Sequence, residues 1–140
     1  MKYQIQSIVN FAIVLIILLI FDSIWLGKIQ KNNFNIMVNK IQGSDIQMSL
    51  LPAIMAYLLM GLSIYSFVLP YLTKENYNKE AWKRGCLLGF VIYGIYDMTN
   101  IAIFKKYNWK MGIIDWIWGT FLFGITSWIF GTIQFRLLKI

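Results

Sequence analysis

Three aspartates inside apolar segments are the residues of this sequence best suited to chemistry. Asp22, Asp97 and Asp115 make up half of the six acidic residues, and each lies within a long apolar block. A carboxylate at the centre of a bilayer costs about 2.5–3.5 kcal/mol on insertion scales, and such acids usually face a protein interior or a water-filled pathway. We therefore predict a site that binds a proton, a cation or a cationic head group.

The spacing of these aspartates from flanking lysines estimates their depth. The nearest lysine is six residues from Asp22, eight from Asp97 and five from Asp115. At about 1.5 Å per helical residue, these separations correspond to roughly 9, 12 and 7.5 Å. Short connections make successive helices antiparallel, so the three lysines belong to the same membrane side. The sequence predicts one layer of carboxylates, near the surface opposite the termini.

Aromatic and polar residues share helical faces with these acids. Trp25 follows Asp22 by three residues, and Trp118 follows Asp115 by three, on helices that run in opposite directions. Such mirrored elements are typical of an inverted repeat, and the rings offer cation–π faces. The predicted ligand or ion pocket consists of Asp22, Trp25, Tyr93, Tyr96, Asp97, Thr99, Asn100, Asp115, Trp118 and Gly119. The alternative is a structural cluster, in which these groups only hydrogen-bond across helices.

Small residues predict where helices approach closely. Gly85 and Gly89 form a small-xxx-small pair on the third apolar block, and such pairs let helix backbones come together. A second stripe lies on the fourth block and consists of Thr120, Gly124, Ser127 and Gly131. We expect that stripe to pack a neighbouring helix or a second copy of the chain, as in a homo-oligomer.

Composition predicts the elements that position these residues. Of the 140 residues, 59% are hydrophobic and 14% charged, whereas soluble domains average about 45–50% and about 25%. Apolar blocks cover residues 8–27, 50–72, 85–104 and 111–135, each long enough for a hydrocarbon core of about 30 Å. No small-x-small cleavage site follows the first block, so we expect a retained helix rather than a signal peptide. The prediction is an all-α membrane protein, a single domain of residues 1–140 that forms an antiparallel four-transmembrane-helix bundle in the lipid bilayer.

Charge and cysteine usage narrow the partners. The net charge of +7 would suggest nucleic acid in a soluble protein, but here the basic residues lie in the connections and at the ends, where they meet lipid head groups. We expect no nucleic-acid partner. The terminal side carries seven basic residues and the opposite side six, which favours cytoplasmic termini by one charge. With no histidine and one cysteine, Cys86, we expect no metal site, no cofactor and no internal disulfide.

Three motifs together resemble a known family. They read FDSIWLG at residues 21–27, YGIYDMTN at 93–100 and IDWIWGT at 114–120. In this order they are similar to a family of small predicted membrane proteins from bacteria, algae and large DNA viruses whose function is undefined. The resemblance covers essentially the whole chain and implies a four-helix membrane topology. It also implies that Asp22, Trp25, Tyr96, Asp97, Thr99, Asn100, Asp115, Trp118 and Gly119 belong to the family pattern.

Three classes of function fit these observations. The leading hypothesis is a small carrier or binding protein for a proton, a cation or an amphiphilic small molecule. The second is a membrane-embedded enzyme that modifies lipids, but the sequence has no nucleophile–base pair, metal cluster or phosphate-binding loop. The third is a structural or assembly subunit without a ligand, in which the acids hold helices together.

Overall fold

The fold is entirely helical over the part of the chain that the structure describes. The structure, a computed structural model, describes residues 2–138 and the side chains of residues 3–138, so the predicted terminal charge at Lys139 lies outside it. The α-helices are α1 (Lys2–Ile24), α2 (Lys31–Gln42), α3 (Leu50–Phe67), α4 (Tyr77–Ile103) and α5 (Trp109–Thr132). A π-helical turn extends α1 over Trp25–Ile29, a second extends α5 over Ile133–Leu137, and a 3-10 turn follows α3 at Leu69–Tyr71.

Four of these helical segments are long and apolar enough to cross a membrane. The candidate spans are Tyr3–Ile29, Leu50–Tyr71, Tyr77–Ile103 and Trp109–Leu137. The predicted all-α class with four membrane helices is therefore confirmed. Consecutive spans run in opposite directions: the hydroxyl of Tyr57, early in α3, reaches Asp22, late in α1, whereas the ring of Tyr65, late in α3, packs on Phe11.

The fifth helix, α2, lies in residues 28–49, the connection between the first two predicted apolar blocks. Its C-terminus is defined by Gly43, which takes a left-handed φ of 78° and donates its N–H to the Asn39 carbonyl. Glycine adopts that conformation without steric cost, which makes it a common helix terminator.

One apolar face holds α2 against the rest of the molecule. Phe34, Met37 and Ile41 follow helical spacing and pack on Tyr107 and Met111 at the turn between α4 and α5. The opposite face of α2 is polar, so the mean hydropathy of the segment is too low to reveal that its other face is buried. As a result, α2 covers one end of the α4–α5 hairpin.

Helix α4 begins at Tyr77, eight residues before the predicted apolar block at residue 85. The additional turns are charged. They are supported by an ion pair between Arg84 Nε and Glu80 Oε2 at 2.7 Å, an (i, i+4) arrangement that stabilises helices. The guanidinium of Arg84 also lies 3.8 Å from the centre of the Tyr71 ring. A search for apolar stretches does not detect these turns, because they are charged and are stabilised by side-chain pairing.

The helices pack in the spatial order α3, α1, α5, α4, with α4 and α5 as an intimate antiparallel hairpin. A Cβ atom at Gly89 would overlap the Gly119 carbonyl oxygen, and one at Gly119 would overlap the Tyr93 ring. The main core joins α1, α3, α4 and α5 around Val14, Leu18, Ile64, Leu122 and Phe123. This packing holds the ends of α1 and α5 at a fixed register, which determines the geometry described next.

Candidate functional site

Two Asp-x-x-Trp segments bind each other across the interface between α1 and α5. Trp118 Nε1 donates to Asp22 Oδ1 at 3.0 Å, and Trp25 Nε1 donates to Asp115 Oδ1 at 3.3 Å. The two indole rings stack, with centroids 4.6 Å apart and planes inclined by 5°. We call Asp22, Trp25, Asp115 and Trp118 the clasp. Because the helices are antiparallel, each motif supplies the acceptor for the other motif's donor.

A tyrosine from α3 completes the bonding of Asp22. The Tyr57 hydroxyl donates to Asp22 Oδ2 at 2.6 Å, so both oxygens of this buried carboxylate accept a hydrogen bond. Sequence reasoning missed Tyr57. The depth estimate could have found it, because Tyr57 lies seven residues from the start of the second apolar block, near the layer predicted for Asp22.

Asp97 on α4 is bonded on one side only. Its side chain is fully buried, and Oδ1 accepts a hydrogen bond of 3.1 Å from the Tyr107 hydroxyl. Its Oδ2 atom is also buried and has no hydrogen-bond partner among the described residues. A buried polar atom without a partner is rare in folded proteins and marks a strained, reactive or ligand-binding group.

Tyr107 lies in the turn between α4 and α5, a position that the sequence analysis did not single out. It is 8% exposed, and burial, together with the nearby Asp97 charge, raises the pKa of its phenol above the ordinary value. Tyr107 therefore stays protonated near neutral pH and acts as the donor to Asp97.

All three carboxylates occupy the same end of the bundle, where α1 ends and α4 turns into α5. Their oxygens accept hydrogen bonds from the uncharged donors Trp25, Tyr57, Tyr107 and Trp118. Within residues 2–138, the one ion pair joins Arg84 and Glu80, which belong to the other end of the bundle. No group of three or more metal-ligating side chains occurs in that part of the chain. Among the described residues, the hydrogen-bond donors to the three acids are thus uncharged side chains.

The remaining residues of the predicted pocket divide into two groups. The ring of Tyr93 packs on Gly119 beside the clasp. Tyr96 is 57% exposed, Thr99 is exposed as well, and Asn100 is half-buried. Asp97 faces the bundle interior. At about 100° per residue, the neighbouring Tyr96 lies about 100° from Asp97 around the helix axis, and Thr99 about 160°. Tyr96 and Thr99 are thus exposed, away from the buried carboxyl of Asp97.

The small residues of both stripes lie between α4 and α5. A Cβ atom at Gly85 would come within 2.6 Å of the Phe123 carbonyl oxygen, and those at Gly124 and Gly131 would meet Cys86 and Tyr77. The hydroxyls of Ser127 and Thr120 donate to backbone carbonyls one turn earlier in α5. Helix α4 of the same chain covers Gly124, Ser127 and Gly131, so the stripe packs a neighbouring helix, the first of the two expected alternatives.

The matching family is described as a predicted membrane protein family (DUF2177), and its profile covers residues 7–132. The chain belongs to this family. The matched residues include α3, α4, α5 and α1 from Ser7 onward, with every residue of the clasp, Asp97 and Tyr107. No curated protein matches the chain significantly, and neither does any solved structure. The family and the four spans make this a multi-pass integral membrane protein in contact with the lipid bilayer.

Proposed function

We propose that this protein is a small membrane carrier or binding protein in which Asp97 binds a proton reversibly. The observation that supports this function is the buried Oδ2 atom of Asp97, which has no partner among the described residues. Protonation converts that unpartnered acceptor into a hydroxyl and removes a charge from a low-dielectric environment. Intramembrane carboxylates of this kind serve proton and ion pathways in other membrane proteins.

The clasp is less suited to this role. Both oxygens of Asp22 already accept hydrogen bonds, and a proton there would weaken the bonds from Tyr57 and Trp118 by removing the negative charge. Trp25 and Trp118 stack on each other, which leaves no space between their rings for a cation. We therefore assign the clasp the task of fixing α1 against α5, beside the proton-binding group.

Tyr107 supplies a connection between Asp97 and the membrane surface. Its hydroxyl reaches Asp97 Oδ1, and its ring belongs to the turn that joins α4 to α5. A hydroxyl can both donate and accept, so it can pass a proton inward when it reorients. Access to Asp97 is therefore assigned to the side of the membrane opposite the termini.

Proton uptake by the full-length protein in lipid nanodiscs tests the proposal. After an acidic pH jump, monitored with a pH-sensitive dye, the Asp97→Asn variant should take up about one proton fewer per chain than the unmodified protein, because one carboxyl is missing. The Asp97→Glu variant keeps a carboxyl and should retain the uptake. Equal uptake by the Asp97→Asn variant and the unmodified protein would exclude Asp97 as the proton site.

The clasp favours a second candidate, a purely structural membrane subunit. Its donors and acceptors pair with one another and join three of the four spans through Asp22, Tyr57 and Trp118. In that case Asp→Asn changes at all three buried aspartates would lower only the stability of the protein. Proton uptake would then be the same in every folded variant, which separates the two functions.

A further inference from the structure

A cavity of about 410 Å³ opens at the membrane surface opposite the termini, between α2 and the α4–α5 turn. This volume lies within the range of about 300–1,000 Å³ typical of small-ligand sites. The cavity is separate from the clasp, and Tyr107 lies in its wall on the side towards Asp97. The proton-binding role of Asp97 makes no use of the rest of this cavity.

The cavity is strongly basic. Lys40 from α2, Lys105 and Lys106 from the turn, and Lys110 from α5 all line it. Among the described residues the one ion pair is Arg84 with Glu80, so none of these four lysines is neutralised by a carboxylate. The nearest acidic residue to Lys40 in sequence is Asp45, whose Oδ1 accepts a hydrogen bond of 3.0 Å from Asn39. Four unpaired ammonium groups around one cavity favour an anion.

The backbone adds to this preference. The first turn of α5 contributes Asn108, Lys110 and Met111 to the cavity wall. Asn108 caps that helix, because its Oδ1 accepts from the Met111 N–H at 3.2 Å. The N-terminus of a 24-residue helix carries partial positive charge, which stabilises phosphate and other anions next to it.

The rest of the wall is apolar. Met37, Tyr107 and Met111 form a buried cluster at its base, and Ile36 and Ile114 extend the apolar surface. A free inorganic anion gains nothing from such a wall, whereas a lipid places a phosphate beside a hydrocarbon chain. The cavity also lies where the apolar spans end, at the level of lipid head groups.

We propose that this cavity binds the phosphate head group of an anionic membrane lipid. The lysines contact the phosphate, and the wall around Met37 and Met111 contacts the first part of the acyl chain. Basic pockets between transmembrane helices on the cytoplasmic side bind anionic head groups in this manner, and the same chemistry applies in either leaflet that contains an anionic lipid. The proposal does not depend on proton binding at Asp97, because the lysines and that carboxyl are separate groups.

Native mass spectrometry of the full-length protein in neutral detergent tests the site, with phosphatidylglycerol as the probe. The unmodified protein should retain one phosphatidylglycerol in preference to zwitterionic phosphatidylcholine. The double variant Lys105→Gln/Lys110→Gln should bind it more weakly, by on the order of tenfold or more, since each lysine near a head group adds to the attraction. The matched control is Lys28→Gln/Lys31→Gln, which removes two exposed lysines of the same membrane side that do not line the cavity. That control should bind as the unmodified protein does.

Three results would overturn the proposal. Equal retention of phosphatidylcholine would remove the preference for an anionic lipid. An equal loss in the control variant would show a general surface charge effect rather than a site. If inorganic phosphate displaced the lipid at equal concentration, the cavity would bind a free anion and the apolar wall would play no part. Both lysine variants retain Asp97, so their proton uptake reports separately on the proposed function.

Discussion

The clasp and the Asp97 site lie at the same end of the bundle, yet they treat their carboxylates differently. Asp22 accepts hydrogen bonds at both oxygens, from Trp118 and Tyr57, and the two indoles that bind the acids stack on each other. Asp97 accepts one bond from Tyr107 and keeps a second buried oxygen without a partner. Asp22 and Asp97 are therefore both buried, and they differ in the number of carboxylate oxygens that accept a hydrogen bond.

Energetics explain why this difference matters. A hydrogen bond adds only about 0.5–1.5 kcal/mol to stability, whereas a buried acceptor left without a partner costs about 1–3 kcal/mol. Asp22 avoids that cost because uncharged Tyr57 and Trp118 donate to both of its oxygens. Asp97 incurs it at Oδ2, and a proton there would remove the larger cost of burying a negative charge.

The largest effect is expected from a change that disturbs both regions. The Gly119→Ala substitution places a Cβ in the ring of Tyr93. Gly119 follows Trp118 of the clasp, and Tyr93 lies one helical turn before Asp97 on α4. We expect a loss of about 3 kcal/mol in the free energy of unfolding, at the upper end of the range for overpacking. Unfolding in mixed detergent micelles measures it.

The matched control for Gly119→Ala is Gly27→Ala, because a Cβ at Gly27 meets nothing within 4 Å. Its stability should equal that of the unmodified protein. Equal stability of the Gly119→Ala variant would contradict the close packing of α4 on α5.

Removal of one clasp donor should have the next largest effect. In the Trp118→Phe variant, Asp22 Oδ1 loses the 3.0 Å bond from the indole N–H. We expect a loss of about 2 kcal/mol in the free energy of unfolding, because a buried acceptor is left unsatisfied. The control is Trp109→Phe, at a side chain that is 61% exposed. If both variants lose the same amount, the clasp adds no specific stability.

A smaller loss is expected at the second oxygen of Asp22. The Tyr57→Phe variant removes the hydroxyl that donates to Oδ2 at 2.6 Å and should cost about 1 kcal/mol, as hydrogen bonds between membrane helices do. Tyr65→Phe is the control on the same helix, since the Tyr65 ring packs on Phe11. A double variant with Trp118→Phe would reveal coupling between the two donors. A Tyr57→Phe variant as stable as Tyr65→Phe would contradict the role of this hydroxyl.

The smallest effect on stability is expected at Asp97. An asparagine there still accepts the hydrogen bond from Tyr107, and it removes the acidic group from the interior. We expect the free energy of unfolding to change by less than about 0.5 kcal/mol, in either direction. The same change at Asp22 should cost more, since an amide cannot accept bonds on both sides. A larger loss at Asp97 than at Asp22 would reverse the assignment of the two regions.

The sequence predicted the architecture well because apolar length is a local property. The four blocks, the antiparallel order and the common layer of Asp22, Asp97 and Asp115 follow from hydropathy and helical rise. The start of α4 at Tyr77 and the helix α2 were missed. Their stability comes from the Glu80–Arg84 pair and from contacts with Tyr107 and Met111, which hydropathy does not report.

The details of the site were harder to predict, because they depend on which side of each helix faces the interior. Helical spacing placed Tyr96 beside Asp97, but Tyr96 is 57% exposed whereas Asp97 is fully buried. Tyr57 and Tyr107 bring hydroxyls to the acids from elements that carry no motif. The reciprocal bonds of the clasp require the relative register of α1 and α5, which no pattern within one helix contains.

Infrared difference spectroscopy between neutral and acidic pH, on the full-length protein in nanodiscs, tests the central claim most directly. A proton at Asp97 should produce a carboxylic acid band that is absent from the Asp97→Asn variant. In the Tyr107→Phe variant that band should persist at a shifted frequency, because Oδ1 loses its donor. A band that remains unchanged in the Asp97→Asn variant would contradict the account, and would place the exchangeable proton on another carboxyl.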